Sequence, residues 1–233
     1  MTSKFQIIVA DPPWNFSDSL SMSDVARGAN SNYSTMSLQA IKELPIESYS
    51  DPTGTLLALW VPSSLLQEGL HTMSAWGFKH KQTYIWVKNK KNLFKPVVTN
   101  LVKTLRTSFK DGARPNWTHI TKLCRDTSKL IPLNDLLSFG MGRLFRQTHE
   151  ICLIGINNTG IYKKLANKSQ RSVSFDENLK HSAKPEHLQD SLETMFPSTE
   201  KLELFARRIR PNWTCLGNEV CNGEDIAVSL AKL

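Results

Sequence analysis

The run Phe5-Gln6-Ile7-Ile8-Val9-Ala10 leads directly into Asp11-Pro12-Pro13-Trp14, and this junction constrains the chain more than any other segment. A short apolar run closed by prolines reads as a fully buried strand. Its carboxyl end then carries a carboxylate, two prolines and an aromatic ring, at the place where open α/β sheets bind ligands. Proline lacks an N–H and fixes φ, so the Pro-Pro step is expected to leave its carbonyls free and rigidly aimed. Asp11 and the Pro12 carbonyl can both accept hydrogen bonds from one planar amino group, beside the stacking face of Trp14. Such a device grips an exocyclic amine, draws its protons away and makes its nitrogen more nucleophilic.

The rest of the chain supplies a sheet to hold that strand. A polar, Ser-rich stretch from Ser17 to Ser34 reads as a loop over Asp11. Ser37 caps a short helix towards Leu44, which Pro45 ends. Thr55 to Trp60 is a second buried strand, and a helix from Ser63 to Ala75 places Leu66, Leu70 and Met73 on one face. Further strands are expected at Tyr84–Val87, Ile151–Ile156, Leu202–Phe205 and Trp213–Leu216. A loop leads to Lys184-Pro185, whose proline should open a helix running to Met195, and Asp225 should cap a final helix. Strands alternating with helices predict an α/β fold, a largely parallel sheet with helices on both faces. Its 233 residues fit one domain over 1–233, with 90–140 as an insertion.

The four cysteines form no C-x-x-C pair and no metal-ligand spacing, so free thiols in a reducing compartment are expected and no metal is called for. No apolar run approaches the roughly 20 residues of a membrane span, and no leader pattern is seen. The formal charge is +8, and it is concentrated. From Lys90 to Lys129 ten cations face only Asp111 and Asp126, an excess equal to that of the whole chain. Phe94, Phe109, Trp117 and His119 are interleaved with them. Cations for phosphates with aromatics for bases is the composition of nucleic-acid surfaces, although a solvated face would look similar.

Ordered blocks now connect the chain to a family. Ala10-Asp11-Pro12-Pro13-Trp14, Asn32-Tyr33-Ser34-Thr35-Met36, Leu59-Trp60-Val61, Trp76-Gly77-Phe78 and Ile85-Trp86-Val87-Lys88 come first. His149-Glu150 through Gly155, Ser182-Ala183-Lys184-Pro185, Lys201 through Arg207 and Asn212 through Glu219 follow. In this order the chain resembles the adenine N(6)-methyltransferases related to the messenger-RNA adenosine methyltransferase. The resemblance covers nearly everything outside residues 90–140. It implies a Rossmann-like, S-adenosylmethionine-dependent fold in permuted order, the D-P-P-W block preceding the cofactor half. No G-x-G-x-x-G follows the first strand, and Glu203-Leu204-Phe205-Ala206-Arg207 stands in its place. The spelling A-R-R-x-R-P-N-W is closer to bacterial and phage members than to the eukaryotic enzymes.

What the resemblance implies can be stated residue by residue. Asp11, Pro12, Pro13 and Trp14 form the catalytic block. Asp11 holds the target amine near the cofactor's amino group, and Trp14 stacks on the base or serves as a core aromatic. Lys184 binds the cofactor carboxylate. Asn218 and Glu219 take the ribose, and Arg207 reaches the ribose or carboxylate unless it makes a structural ion pair. Arg208 or Arg210 replaces a His-Asn pair that other members carry. Tyr33 walls the adenine pocket, and Glu150 contacts the adenosine or forms a salt bridge. Lys103, Arg106, Lys110 and Trp117 bind nucleic acid within the basic insertion. The expected activity is methylation of a flipped adenine in DNA, as in restriction-modification systems, in the cytoplasm of a bacterial or phage-infected cell at the nucleoid. An RNA adenosine methyltransferase and a catalytically silent nucleic-acid-binding subunit are the alternatives. Homodimerisation is expected at the level of the family.

Overall fold

A computed structural model of the protein describes residues 4–15, 35–92, 95–109, 116–129, 133–140, 144–178, 183–221 and 223–233. Its strands are β1 (Ile7–Ala10), β2 (Leu56–Val61), β3 (Lys79–Asn89), β4 (His149–Ile156), β5 (Val173–Glu177), β6 (Lys201–Leu204) and β7 (Thr214–Leu216). Its helices are α1 (Leu38–Lys42), α2 (Ile46–Tyr49), α3 (Leu66–Ala75), α4 (Lys95–Ser108), α5 (Trp117–Lys129), α6 (His187–Met195) and α7 (Ile226–Ala231). The seven strands form one sheet in the order β5-β3-β4-β2-β1-β6-β7. The contacts divide the chain into two compact units, Met1–Trp86 with Glu150–Ser174 and Glu186–Leu233, and Val87–His149 with Phe175–Pro185.

In the first unit β1 is the central strand, and its apolar run is explained by burial on both faces. It pairs parallel with β2 (Ile8↔Leu57) on one side and with β6 (Ile8↔Leu202) on the other. Alternation sends Ile8 and Ala10 to one face, with Leu57, Leu59, Leu202, Met73 of α3, Ile41 of α1 and Leu230 of α7. Ile7 and Val9 go to the other face, with Trp60, Leu188 and Leu192 of α6, Phe196 and Trp213. Helices therefore cover both faces, as expected. Two buried aromatics are tied by their polar atoms: Trp76 Nε1 donates to the Ile41 carbonyl at 3.0 Å, and Tyr49 Oη donates to the Leu230 carbonyl at 2.8 Å.

Several sequence expectations change. The sheet is mixed, because β4 runs antiparallel to β2. Strand β3 begins at Lys79 rather than Tyr84, since its first residues are exposed and carry no apolar signal. β5 was expected to be loop: it exposes Val173 and Phe175 and buries Ser174, the reverse of an amphipathic strand pattern. Segment 90–140 contains the packed pair α4 and α5. In α3 the buried residues are Gly69, Thr72 and Met73, whereas Leu66 is exposed. Gly69 permits that approach, because a Cβ there would lie 2.6 Å from Val61 Cγ2. Pro185 precedes the α6 N-cap, Glu186, instead of occupying the first turn. Ser37 and Asp225 cap α1 and α7 through their side chains, as expected. No helix among the described residues is long and apolar enough to cross a membrane.

The amino edge of the sheet is fastened by Asp51. Its carboxylate accepts from Thr53 N (2.8 Å), Thr53 Oγ1 (2.6 Å), Gln6 Nε2 (3.0 Å) and Lys164 Nζ (3.1 Å). Burial alone would raise this carboxyl, but the bonds from Thr53, Gln6 and Lys164 outweigh it and hold it far below the usual range. A folded-state pKa depressed below the unfolded value of 3.8 contributes stability above that pH and loses it as the acid is protonated. Asp51→Asn should therefore cost about 1–3 kcal/mol at pH 7. Urea unfolding should show its deficit shrinking once the pH falls below about 4, the ordinary range of an aspartate.

Candidate active site

The candidate site is assembled at the carboxyl edge of the sheet. Strand β1 delivers Asp11 there, beside the end of β6, where Asp11 N approaches the Leu204 carbonyl at 3.5 Å. From β1 the chain moves to β2 on one side, while β6 and β7 extend the sheet on the other. The β1–β6 boundary is thus a topological switch point, where open sheets leave a crevice beyond their carboxyl ends. Strand β4, antiparallel to β2, brings its first residues to the same edge, so Glu150 lies one residue beyond the Val61↔Ile151 pair.

The Pro-Pro turn is fixed differently from expectation. The Pro12 carbonyl accepts the Trp14 N–H at 2.8 Å, and the Pro13 carbonyl accepts the Met36 N–H at 3.0 Å. Neither carbonyl is free, although each oxygen keeps a second lone pair. Trp14 also departs from the stacking role. Its ring is 4% exposed, lies in the core and donates Nε1 to the Trp60 carbonyl at 2.9 Å. A ring so enclosed presents no open face to a base; it is the peg that locks the turn carrying Asp11.

On the other side of the switch point, Phe205 takes a positive φ of 62° as the chain leaves β6. Ala206 N then bonds to the Leu216 carbonyl at 2.8 Å, drawing the end of β7 alongside. Gly217 is required at this crossing, since a Cβ there would stand 2.3 Å from the Ala206 carbonyl oxygen. The turn that follows exposes Asn218 and Glu219, and Arg207 Nε faces Glu219 Oε1 at 3.6 Å. Arg207 thus makes the ion pair that the sequence left open as its alternative, with Glu219, and exposed Asn218 adjoins that pair in the chain. Their pattern of a cation, an amide and a carboxylate around a close backbone approach fits a polar nucleoside-like ligand.

Arg208 and Arg210 are not available for such a ligand. Arg210 reaches three carboxylates of the α6 segment: Glu193 Oε1 at 2.7 Å, Glu186 and Asp190. Its guanidinium also lies 6.0 Å from the Trp213 ring centroid, and Trp213 Nε1 donates to Glu193 at 2.6 Å. The Arg210 hydrogen bond holds the Glu193 carboxyl below its ordinary value, and the same bond raises Arg210. Arg208 pairs with Glu186. The expected contact of either arginine with the cofactor thus gives way to a clamp of the β6–β7 connection onto α6.

Sequence reasoning also missed Glu203 and Gln189. Glu203 sits on β6 opposite Val9, and burial pushes its carboxyl up to about 6 despite a bond from Gln189 Nε2 at 3.2 Å. A buried Glu within the block that replaces a glycine-rich loop was the available signal. The remaining expected residues belong to the second unit or are not among those described. Lys184 is half-buried in the second unit, as Val87–His149 and Phe175–Pro185 define it. Lys103 and Arg106 are exposed on α4, and Trp117 opens α5 with 83% of its surface exposed. Tyr33 and Lys110 lie outside the described residues.

The fold and this edge define a mixed α/β protein with a D-P-P-W carboxylate at the switch point of its sheet. The MT-A70 family model matches residues 5–111 and 115–219, and the chain belongs to the MT-A70 family. It is 26% identical over 221 residues to the N(6)-adenosine-methyltransferase MT-A70-like protein of Drosophila melanogaster, covering 93% of this chain and 27% of that relative. To the human N(6)-adenosine-methyltransferase catalytic subunit METTL3 it is 25% identical over 225 residues, covering 93% and 28%. A shorter match, 29% over 104 residues, covers 44% of the chain and 13% of the Arabidopsis thaliana N6-adenosine-methyltransferase non-catalytic subunit MTB. The chain spans about a quarter of the length of the full-coverage relatives.

The clamp makes a direct prediction. Arg210→Leu strands partly buried carboxylates and should cost about 2 kcal/mol, between exposed and buried ion pairs. Arg210→Lys should not restore it, because an ammonium cannot address three carboxylates and a ring in one plane. Thermal melts of the three proteins check both statements.

Proposed function

We propose that the chain is an S-adenosylmethionine-dependent N(6)-methyltransferase acting on adenosine in RNA. The observation that carries this reading is Asp11, held at the switch point by the pegged Pro-Pro turn in a chain whose family match runs through the whole edge. S-adenosylmethionine supplies an electrophilic methyl group on a sulfonium. The chain's own residues bind and orient. Arg207, Asn218 and Glu219 address the donor's ribose side, and the assignment of Lys184 to its carboxylate rests on the resemblance alone. Asp11 accepts an N–H of the adenine amine, and the second lone pair of Pro12 accepts the other. Two acceptors in fixed positions orient the nitrogen lone pair for in-line transfer, a positioning effect. Glu150 is proposed to meet the adenosine from β4.

The choice of RNA reverses the preference drawn from spelling. Full-coverage relatives in animals and plants carry names that specify adenosine, the ribonucleoside, which supports RNA over DNA. Names that distinguish catalytic from non-catalytic subunits also support assembly with another chain of the family. Labelled donor with long RNA, single-stranded DNA and duplex DNA of mixed sequence tests the substrate: RNA should be methylated best. Methylation confined to duplex DNA would restore the DNA reading.

Asp11→Ala should lower single-turnover methyl transfer on the order of 10²-fold or more while leaving the melting temperature within a few degrees. A rate within a few-fold of the parent would remove Asp11 from the chemistry. The basic helix α4 is proposed to take phosphates. Neutralising Lys103 and Arg106 to Gln should flatten the slope of log K against log salt by roughly 0.7 per lost contact on single strands. An unchanged slope would leave these cations as a solvated face.

A further inference from the structure

The second unit exposes apolar side chains in an unusual place. Residues 137–140 and 144–149 form two antiparallel arms, with Gly140 and Gln147 exchanging both backbone bonds, at 2.8 and 3.2 Å. Both arms are tied to Lys88 of β3: Ser138 N donates to the Lys88 carbonyl and Lys88 N to the Thr148 carbonyl, each at 2.8 Å. On this anchored hairpin Leu144 and Phe145 stand 93% and 88% exposed, and Phe139 is 57% exposed. The Arg146 guanidinium carbon lies 5.8 Å from the Phe139 ring centroid, a cation on an aromatic face. Isolated exposed apolar residues are ordinary, but three on one short, well-tied hairpin mark an interaction site.

Charge identifies the partner. The second unit holds fifteen Lys and Arg against five Asp and Glu, a net +10, which leaves the first unit with a net −2. In a two-fold pairing of this face with itself, a second copy would bring another unit of net +10, and like charges oppose that pairing. A polyanion is favoured instead, and bases are the apolar groups a polyanion can offer to aromatic rings. We propose that Phe139, Leu144, Phe145 and Arg146 form a stacking edge for unpaired bases of a single nucleic-acid strand whose phosphates meet the cations of the same unit. The inference rests on the polynucleotide substrate proposed above. It assigns unpaired bases of that substrate to the second unit, and it requires an unpaired stretch, since paired bases hide their faces in the duplex stack.

The test is binding by the intact chain without donor, so that it does not depend on methyl transfer. The probes are a 20-nucleotide single-stranded RNA and an abasic strand of equal length and charge. Phe139→Ala/Phe145→Ala should weaken RNA binding by about 10-fold to 100-fold, the range for losing one stacked base, and leave abasic binding and the salt slope unchanged. Phe145→Trp should bind RNA at least as well as the parent. Because Phe145 is exposed, both variants should melt with the parent. Equal losses on both strands, unchanged RNA binding, or a parent that binds neither strand would overturn the proposal. So would sedimentation showing that the double variant abolishes self-association while RNA affinity stays fixed, which would make the hairpin a contact between copies. Failure of donor binding or of methyl transfer would instead count against the function proposed above and leave this measurement intact.

Discussion

The parallel pairing of β1 with β6 is the constraint on which the candidate site depends. It joins two parts of the sequence nearly two hundred residues apart, Ile7–Ala10 and Lys201–Leu204, and brings Asp11 to the edge where the chain turns through Phe205 and Ala206. Neither partner could be displaced cheaply. Ile7, Ile8 and Leu202 are fully buried, and burying each side chain of this size is worth roughly 1.5–3 kcal/mol. The next strand is held equally closely, because Gly217 leaves no room for a side chain against Ala206. The carboxylate and the Arg207–Glu219 rim are therefore set by packing of the strands beneath them.

Around this core the polar chemistry is divided by location. Asp51 and Lys164 fasten the amino edge, where their ion pair is supported by Thr53 and Gln6. Arg210 fastens the β6–β7 connection to α6 through Glu186, Asp190 and Glu193. These networks occupy charges that could otherwise have been assigned to ligand binding. The excess of positive over negative charge lies in the second unit, where exposed Lys103 and Arg106 of α4 are joined by exposed Trp117, Phe139 and Phe145. The first unit is left near neutral, at a net −2 against +10 in the second.

How much of this was legible in the sequence depended on whether a residue's role is local. The buried strands β1, β2 and β4 were readable because burial on both faces leaves a continuous apolar run. The caps Ser37 and Asp225 were readable because a cap acts within three residues. Strand β5 was not, since its exposed positions are Val173 and Phe175 and its buried one is Ser174. The role of Trp14 turned on a carbonyl forty-six residues away, at Trp60, which no local pattern encodes. Arg210 looked like a ligand-binding arginine until α6 supplied three carboxylates to it. Asp11, Arg207, Asn218 and Glu219 were legible as a set only through the family blocks that carry them.

The most direct test of the account is backbone hydrogen exchange with and without S-adenosylmethionine. If the carboxyl edge is the donor's seat, added donor should slow exchange at residues 11 and 14, at 205–207 and at 217–221. The Asp51 edge, residues 51–55 and 157–164, should be unaffected. Bound donor that protects the Asp51 edge, or that leaves both the Asp11 turn and the Gly217 turn unprotected, would contradict it.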